Sequence, residues 1–416
     1  MKTMNVFLPA DILLPKTDRM QLWSVIACDQ FTSDADYWAR VRKNVESAPS
    51  TLNLILPEAE LGAPDEAERV RKINETMRSY LNEGLFSCFP CSYVYVERTL
   101  ENGSIRRGIV GMVDLESYSF DKKSDSAIRA TEATVVERIP PRMRVRRDAP
   151  LELPHILLLC DDEKRSLIEP LTDRKGEFQK LYDFDLMEGG GHISGWLVSG
   201  SEADAFDKRL AVYTAQSTSR YPGLKGTPPI FVAGDGNHSL ATAKSCYEEL
   251  KRMHPGEDLS GHPARYALVE LENIHDDALV FEPIHRIVTG IDPEALLNEL
   301  VSDCCADDGY PIRWYADGKS GSLSLDRKHG ELAVAVLQNF LDRYLSEHKG
   351  EIDYIHDDDA LMALSARKST VGFLLPAMEK SQLFRGVIAG GSLPRKTFSM
   401  GHAREKRYYL EARKIR

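Results

Sequence analysis

The stretch FVAGDGNHSLATAK, Phe231 to Lys244, sets two glycines, an aspartate, an asparagine, a histidine and a serine between an apolar run and a helical pattern. Side chains of these types bind anions and move protons. PPIFV before the stretch reads as a buried strand, while Leu240, Ala243, Tyr247 and Leu250 recur at helical spacing after it. The polar residues therefore fall at a strand-to-helix elbow. A helix start carries backbone N–H groups without intrahelical partners and the positive end of the macrodipole, which together suit an anion. A plain turn explains Gly234 and Gly236, with Asn237 or Ser239 as N-cap. It gives Asp235 and His238 no role, so a functional site is expected here.

The elbow departs from the familiar nucleotide motifs. Ser239 stands where a dinucleotide fingerprint has its third glycine, and DGKS at Asp317 to Ser320 has Arg313 where a Walker A motif has its leading glycine. A second polar cluster runs from Ile128 to Arg147, with five arginines between Arg138 and Arg147 and no acid among them. A charge run is usually a solvated face, yet arginine forks also suit phosphate oxygens. Arg138, Arg142 and Arg144 are thus candidates for a phosphate-facing wall stiffened by Pro140 and Pro141. FEPIHRIV offers His285 and Arg286 after a strand; the bland reading is a satisfied structural histidine, the other a substrate contact. LPRKTFSMG crowds Arg395, Lys396, Thr397 and Ser399 into an irregular segment, and Arg395 to Arg416 holds eight basic and two acidic residues, which a basic amphipathic helix on an acidic body would explain.

These residues need a scaffold. The 416 residues suit two or three domains, and 42% hydrophobic content is ordinary for a globular protein with a real core. A net charge of −11 argues against nucleic acid as partner. The N-terminus carries no long apolar run and no stretch approaches the ~20 residues of a spanning helix, so a cytoplasmic protein without a membrane partner is expected. Seven cysteines in such a chain make a disulfide framework unexpected, and Cys88-x-x-Cys91 reads as buried free thiols rather than a redox or zinc pair.

Along the chain, helices are predicted from the capping choices Thr32, Ser33 and Asp34 with Trp38, Val41 and Val45 on one face, and from Val70, Ile73, Met77 and Tyr80 to a stop at Gly84. Asn102-Gly103 signals a hairpin, because both residues accept positive φ. HILLLC, FDL, HISGWLV and RYALVEL read as strands around a helix from Ser201 to Tyr213, and Asp292-Pro293 opens a later helix. Strands alternating with helices imply an α/β (α+β) protein. The expected segments are an N-terminal α+β region 1–125, a core 126–290 and a C-terminal α+β region 291–416.

WSVIACDQFTSDADYW, DGNH with its alanine-containing helix, FEPIHRIV and LPRKTFSMGHAREKRYYLEARKI together resemble the bacterial family called domain of unknown function 1015. The resemblance spans nearly the whole chain. It implies a ParB/sulfiredoxin-like nucleotide-binding core with N- and C-terminal additions, related to free serine kinases, sulfiredoxins and CTP-binding partition proteins. Asp235, Gly236 and His238 keep the phosphate-loop pattern, with Asn237 for its first histidine and Ser239 for its arginine. TEATVVER is similar to the segment that supplies the serine kinases' base, placing Glu132 as that glutamate and Thr131 for the preceding histidine.

The expectation drawn from the resemblance is a phosphotransferase using ATP or ADP with Mg²⁺ on a small hydroxylated metabolite, serine or phosphoserine by analogy. Gly234, Gly236, Asn237 and Ser239 would hold phosphates, with Arg138, Arg142 and Arg144 in support. His238 would contact the transferring group, Asp235 would position the metal or hydroxyl, and Glu132 would take the proton. His285, Arg286, Arg395 and Lys396 would meet the substrate. The rivals are a non-catalytic nucleotide-binding regulator and a metal-dependent hydrolase built on Asp235, His238, His285 and His192.

Overall fold

A computed structural model describes residues 6–28, 31, 34–57 and 60–416. The chain divides into two units, 1–279 with 402–416, and 280–401. The segments read from the sequence set their boundaries elsewhere, because strands from both sides of residue 125 share one sheet.

Eleven of the described strands in the first unit form this mixed sheet. Its long hairpin, Phe86–Thr99 with Ile105–Asp114, is antiparallel. Tyr266–Asn273 adds antiparallel to the hairpin and parallel to Leu157–Cys160, which in turn pairs antiparallel with Phe231–Asp235. The α/β class expected from the alternating pattern is what the chain adopts. Period-two alternation decides the two faces. Tyr93 and Tyr95 join Phe206, Phe231, Leu240 and Tyr247 in one core, while Val94 and Val96 join Trp23, Trp38, Val41 and Ile73 in the other.

Three local readings need correction. The Asn102-Gly103 turn is a longer loop in which only Gly103 takes positive φ, at 81°; Asn102 instead accepts the Ser104 N–H on its side chain at 2.9 Å. Cys88 and Cys91 are free but exposed, because a bulge at Cys91, φ 46°, turns that part of the strand outward and hands its N–H to Asp11. The basic tail is not a helix: it runs extended, with one short 3-10 turn at Ala403–Glu405 and a strand Arg413–Lys414 beside Leu151–Glu152. Of the three capping choices near residue 33, Asp34 accepts the Tyr37 N–H at 2.8 Å, and Thr32 and Ser33 lie outside the described residues.

In the second unit, five antiparallel strands run in the order Lys319–Asp326, Gly309–Ala316, Thr370–Leu374, His285–Thr289, Glu351–Ile355. Helices Pro293–Cys304 and Ala333–Glu347 belong to the same unit. Asp292 caps the first of these through the N–H groups of Glu294 and Ala295, as its Asp-Pro opening predicts.

Candidate phosphate-binding elbow

The strand Phe231–Asp235 runs directly into the helix Asn237–Met253, and Gly236 between them takes the left-handed conformation, φ 74° and ψ 24°. Glycine is required there twice over, since a Cβ would also sit 3.0 Å from the Ile156 backbone. Leu240, Ala243 and Tyr247 bury the helix's apolar face, which fixes its polar start at the strand end. Gly236 accepts the N–H groups of Ser239 and Leu240 at 2.9 and 3.0 Å. No side chain caps this helix among the described residues. The N–H groups of Asn237 and His238 come too early for an intrahelical bond.

The capping candidates of the turn reading are used otherwise. Asn237 donates its side-chain amide to Thr131 at 3.3 Å, and Ser239 Oγ lies 2.8 Å from His155 Nε2. Asn237 Oδ1 is left buried with no hydrogen-bond partner among the described residues, as is Thr134 Oγ1. Native structures pair nearly all such atoms, so two orphans at one place call for an explanation.

A strap from Thr131 to Val135 lies over the helix start. Thr131 donates to the Ala233 carbonyl at 2.6 Å, and Val135 N–H donates to His238 Nε2 at 3.3 Å, which assigns the neutral imidazole's own proton to Nδ1. Glu132, half-buried, sits inside this strap. The structure thus brings Glu132, Asp235 and His238 into one neighbourhood.

The arginine cluster forms the helix Ile139–Arg147, which packs along the elbow helix. Val135 meets His238 at one end and Arg147 pairs with Glu249 at the other, so the two helices run side by side in the same direction. Their positive ends lie at the same side, and Arg138 and Arg142 belong to that half. Arg144 is instead paired with buried Glu66 at 2.7 Å.

The tail supplies residues that the sequence reading missed. Arg98 donates to the carbonyls of Arg404, Glu405 and Lys406, and Arg106 to that of Glu405. Arg407 binds Glu270 and Glu411 at 2.6 Å each and donates to the Pro154 carbonyl at 2.7 Å. These bonds carry Lys406 to the elbow, where its Nζ lies 3.3 Å from Asp235 Oδ2. They also anchor the residue before His155, whose ring lies 5.1 Å from that of Tyr409. The only signals for Lys406 and His155 in the sequence were a basic tail and a histidine ahead of a strand.

Mg²⁺ is ordinarily held by one or two carboxylates plus substrate phosphates. Asp235 Oδ1 already accepts the Gly236 N–H at 2.8 Å, and Oδ2 faces Lys406. Among the described residues no group of three or more His, Cys, Asp or Glu is placed to hold a metal ion. Asp235, the carboxylate expected to hold Mg²⁺, is thus engaged through both of its oxygens. His192, named for the hydrolase rival, is bound by Asp183 and Asp185 at 2.7 Å each, away in the strand pair Lys180–Asp185 and His192–Val198. A cavity of about 260 Å³ lies in the same unit, lined by Phe31, Leu100, Gly190, His402 and Arg404 among others, none of them elbow residues.

His285, Arg286, Arg395 and Lys396 belong to the second unit. Arg286 is fully buried and donates to the carbonyls of Ile284, Arg395 and Lys396 and to the Gln338 side chain. His285 lies between Asp358 and the Leu375 N–H.

A family model described as "Protein of unknown function (DUF1015)" matches residues 8–414. The chain belongs to that family. No curated protein matches it significantly. Solved structures similar to it include a conserved hypothetical protein from Pyrococcus furiosus, at TM-score 0.34 and 11% identity over 72% of this chain and 90% of that one. SbnI with a C-terminal truncation, from Staphylococcus aureus, gives 0.36 and 11% over 70% and 83%. A free serine kinase in complex with AMP gives 0.36 and 11% over 73% and 90%. Among the described residues no helix of this family member is long and apolar enough to cross a membrane.

Proposed function

We propose that this protein is a nucleotide-dependent phosphotransferase acting on a small hydroxylated metabolite, with its site at the Asp235–Ser239 elbow of a core read as ParB/sulfiredoxin-like. The observation that carries the reading is the elbow helix start, with no side-chain cap among the described residues, flanked by a second helix start and by buried Lys406. An anion there meets backbone N–H groups, two aligned macrodipoles and cations, as phosphoryl transfer requires. Arg138 and Arg142, in the near half of the arginine helix, add charge for ATP or ADP.

The orphan atoms point to the second substrate. Asn237 Oδ1 accepts a hydrogen bond and Thr134 Oγ1 can donate one, so the pair suits a ligand bearing both a hydroxyl or ammonium donor and an acceptor oxygen, such as serine. Glu132, in the same strap, takes the proton of the acceptor hydroxyl. His238, with its proton on Nδ1, contacts the transferring group, and Asp235 holds Lys406 in place.

The test is incubation of the full chain with ATP or ADP and a panel of hydroxy amino acids. Nucleotide turnover that depends on one acceptor is expected. Tight nucleotide binding with no turnover for any acceptor would instead make the protein a regulator.

A further inference from the structure

The Ser239–His155 pair has no role in direct transfer between two bound substrates. Ser239 Oγ lies 2.8 Å from His155 Nε2, within the reach expected of a nucleophile and its base. The serine is fixed by the helix start, its own N–H bonded to Gly236. The histidine is fixed on three sides. Arg407 holds the Pro154 carbonyl before it, Ile156 after it packs on Gly236, and the Tyr409 ring lies against its own. Lys406, nine-tenths buried, lies at the same elbow in an ion pair with Asp235. A serine hydroxyl is a weak nucleophile until a neighbouring base takes its proton, and the helix start that carries Ser239 suits an anionic electrophile.

We propose that Ser239 is a covalent phosphoryl acceptor activated by His155, so that transfer at the elbow passes through a phosphoserine enzyme. The inference rests on the phosphotransferase reading. In the first half, Ser239 Oγ attacks the terminal phosphorus of the nucleotide. The Oγ–P bond forms, the bond from phosphorus to the bridging oxygen breaks with its electron pair leaving on the departing nucleotide, and the hydroxyl proton moves to His155 Nε2. In the second half the acceptor hydroxyl attacks phosphorus and gives its proton to Glu132. The Oγ–P bond then breaks and Ser239 recovers its proton from His155. No redox partner is needed.

The test uses an alkyl fluorophosphonate, a phosphorus electrophile that needs no nucleotide. With the full chain, peptide mapping should find one adduct on Ser239, formed with loss of fluoride and absent from Ser239→Ala. His155→Ala should slow labelling by ~10²-fold or more, the contribution of a positioned base, and added imidazole should restore part of the rate. His155→Gln, which keeps a polar side chain, should be equally slow while its thermal melt matches the wild type. Wild type without an adduct on Ser239, or labelling unchanged in both His155 variants, would overturn the inference. Full acceptor-dependent turnover by Ser239→Ala would also overturn it while leaving the phosphotransferase standing. An adduct on Ser239 in a protein that turns over no nucleotide would support the nucleophile and remove the proposed phosphoryl donor.

Discussion

The elbow of the first unit and the His285–Arg286 cluster of the second hold the same kinds of residue and differ in how those residues are used. Every polar residue from Asp235 to Ser239 is partly exposed, and among the described residues buried Asn237 Oδ1, like Thr134 Oγ1 in the strap above it, lacks a hydrogen-bond partner. Arg286 is fully buried, and its guanidinium is spent on three carbonyls and an amide oxygen. Basic and polar residues packed into a short sequence therefore mark two opposite things. A saturated, buried group holds a fold together, while an exposed and incompletely partnered one is available to a ligand.

The comparison breaks most readily at Glu132. If the elbow is the reacting site, Glu132→Gln should lower turnover by ~10²–10⁴-fold with nucleotide affinity nearly unchanged, as loss of a positioned proton acceptor does. Steady-state kinetics with titration calorimetry checks both halves, and unchanged turnover would remove Glu132 from the chemistry. Arg286→Ala should do the reverse. It leaves the buried Ile284 carbonyl and the Gln338 amide oxygen without their donor and removes two further bonds to the Arg395 and Lys396 carbonyls, so urea denaturation should show a loss of about 3 kcal/mol or more, against about 1 kcal/mol or less for His238→Ala.

Glu272 sharpens the contrast with an intermediate case. It is fully buried, and its Oε1 lies 2.9 Å from Arg106 Nε without the alignment of a hydrogen bond. Burial, opposed by Arg106 and reinforced by Glu270, pushes its carboxyl from 4.5 up to about 8. The native state thus keeps a proton that the unfolded chain releases. The associated stability is fully present below 4.5 and is lost as the pH rises through about 8. Glu272→Gln should flatten the fall of unfolding free energy across that window, an effect on the order of a few kcal/mol. An unchanged slope in urea melts would show that Glu272 is ionised in the native state.

The fold was legible where periodicity was strong. The elbow strand and helix follow from an apolar run, paired glycines and a helical repeat within twenty residues. Glu132 was singled out only through the resemblance of TEATVVER; its strap follows Ile128–Ala130, which pairs parallel with the elbow strand. Lys406 and His155 were not legible, since they reach Asp235 and Ser239 only after distant strands assemble. The tail misled because its charges suggested a surface helix. Tyr408, Leu410 and Ala412 in fact alternate at strand period, and Arg407, Glu411 and Arg413 are buried as partners of one another and of Glu152 and Glu270. Sequence patterning assigns charge to the surface, and only the assembled sheet shows which charges are paired inside.

Hydrogen–deuterium exchange of the full chain, read peptide by peptide with and without saturating ADP, locates the nucleotide. With ADP at the elbow, residues 131–135 and 236–240 should be protected, with no change at 285–286 or 395–396. Protection confined to the second unit, or none anywhere at saturating ADP, would contradict nucleotide binding at the elbow.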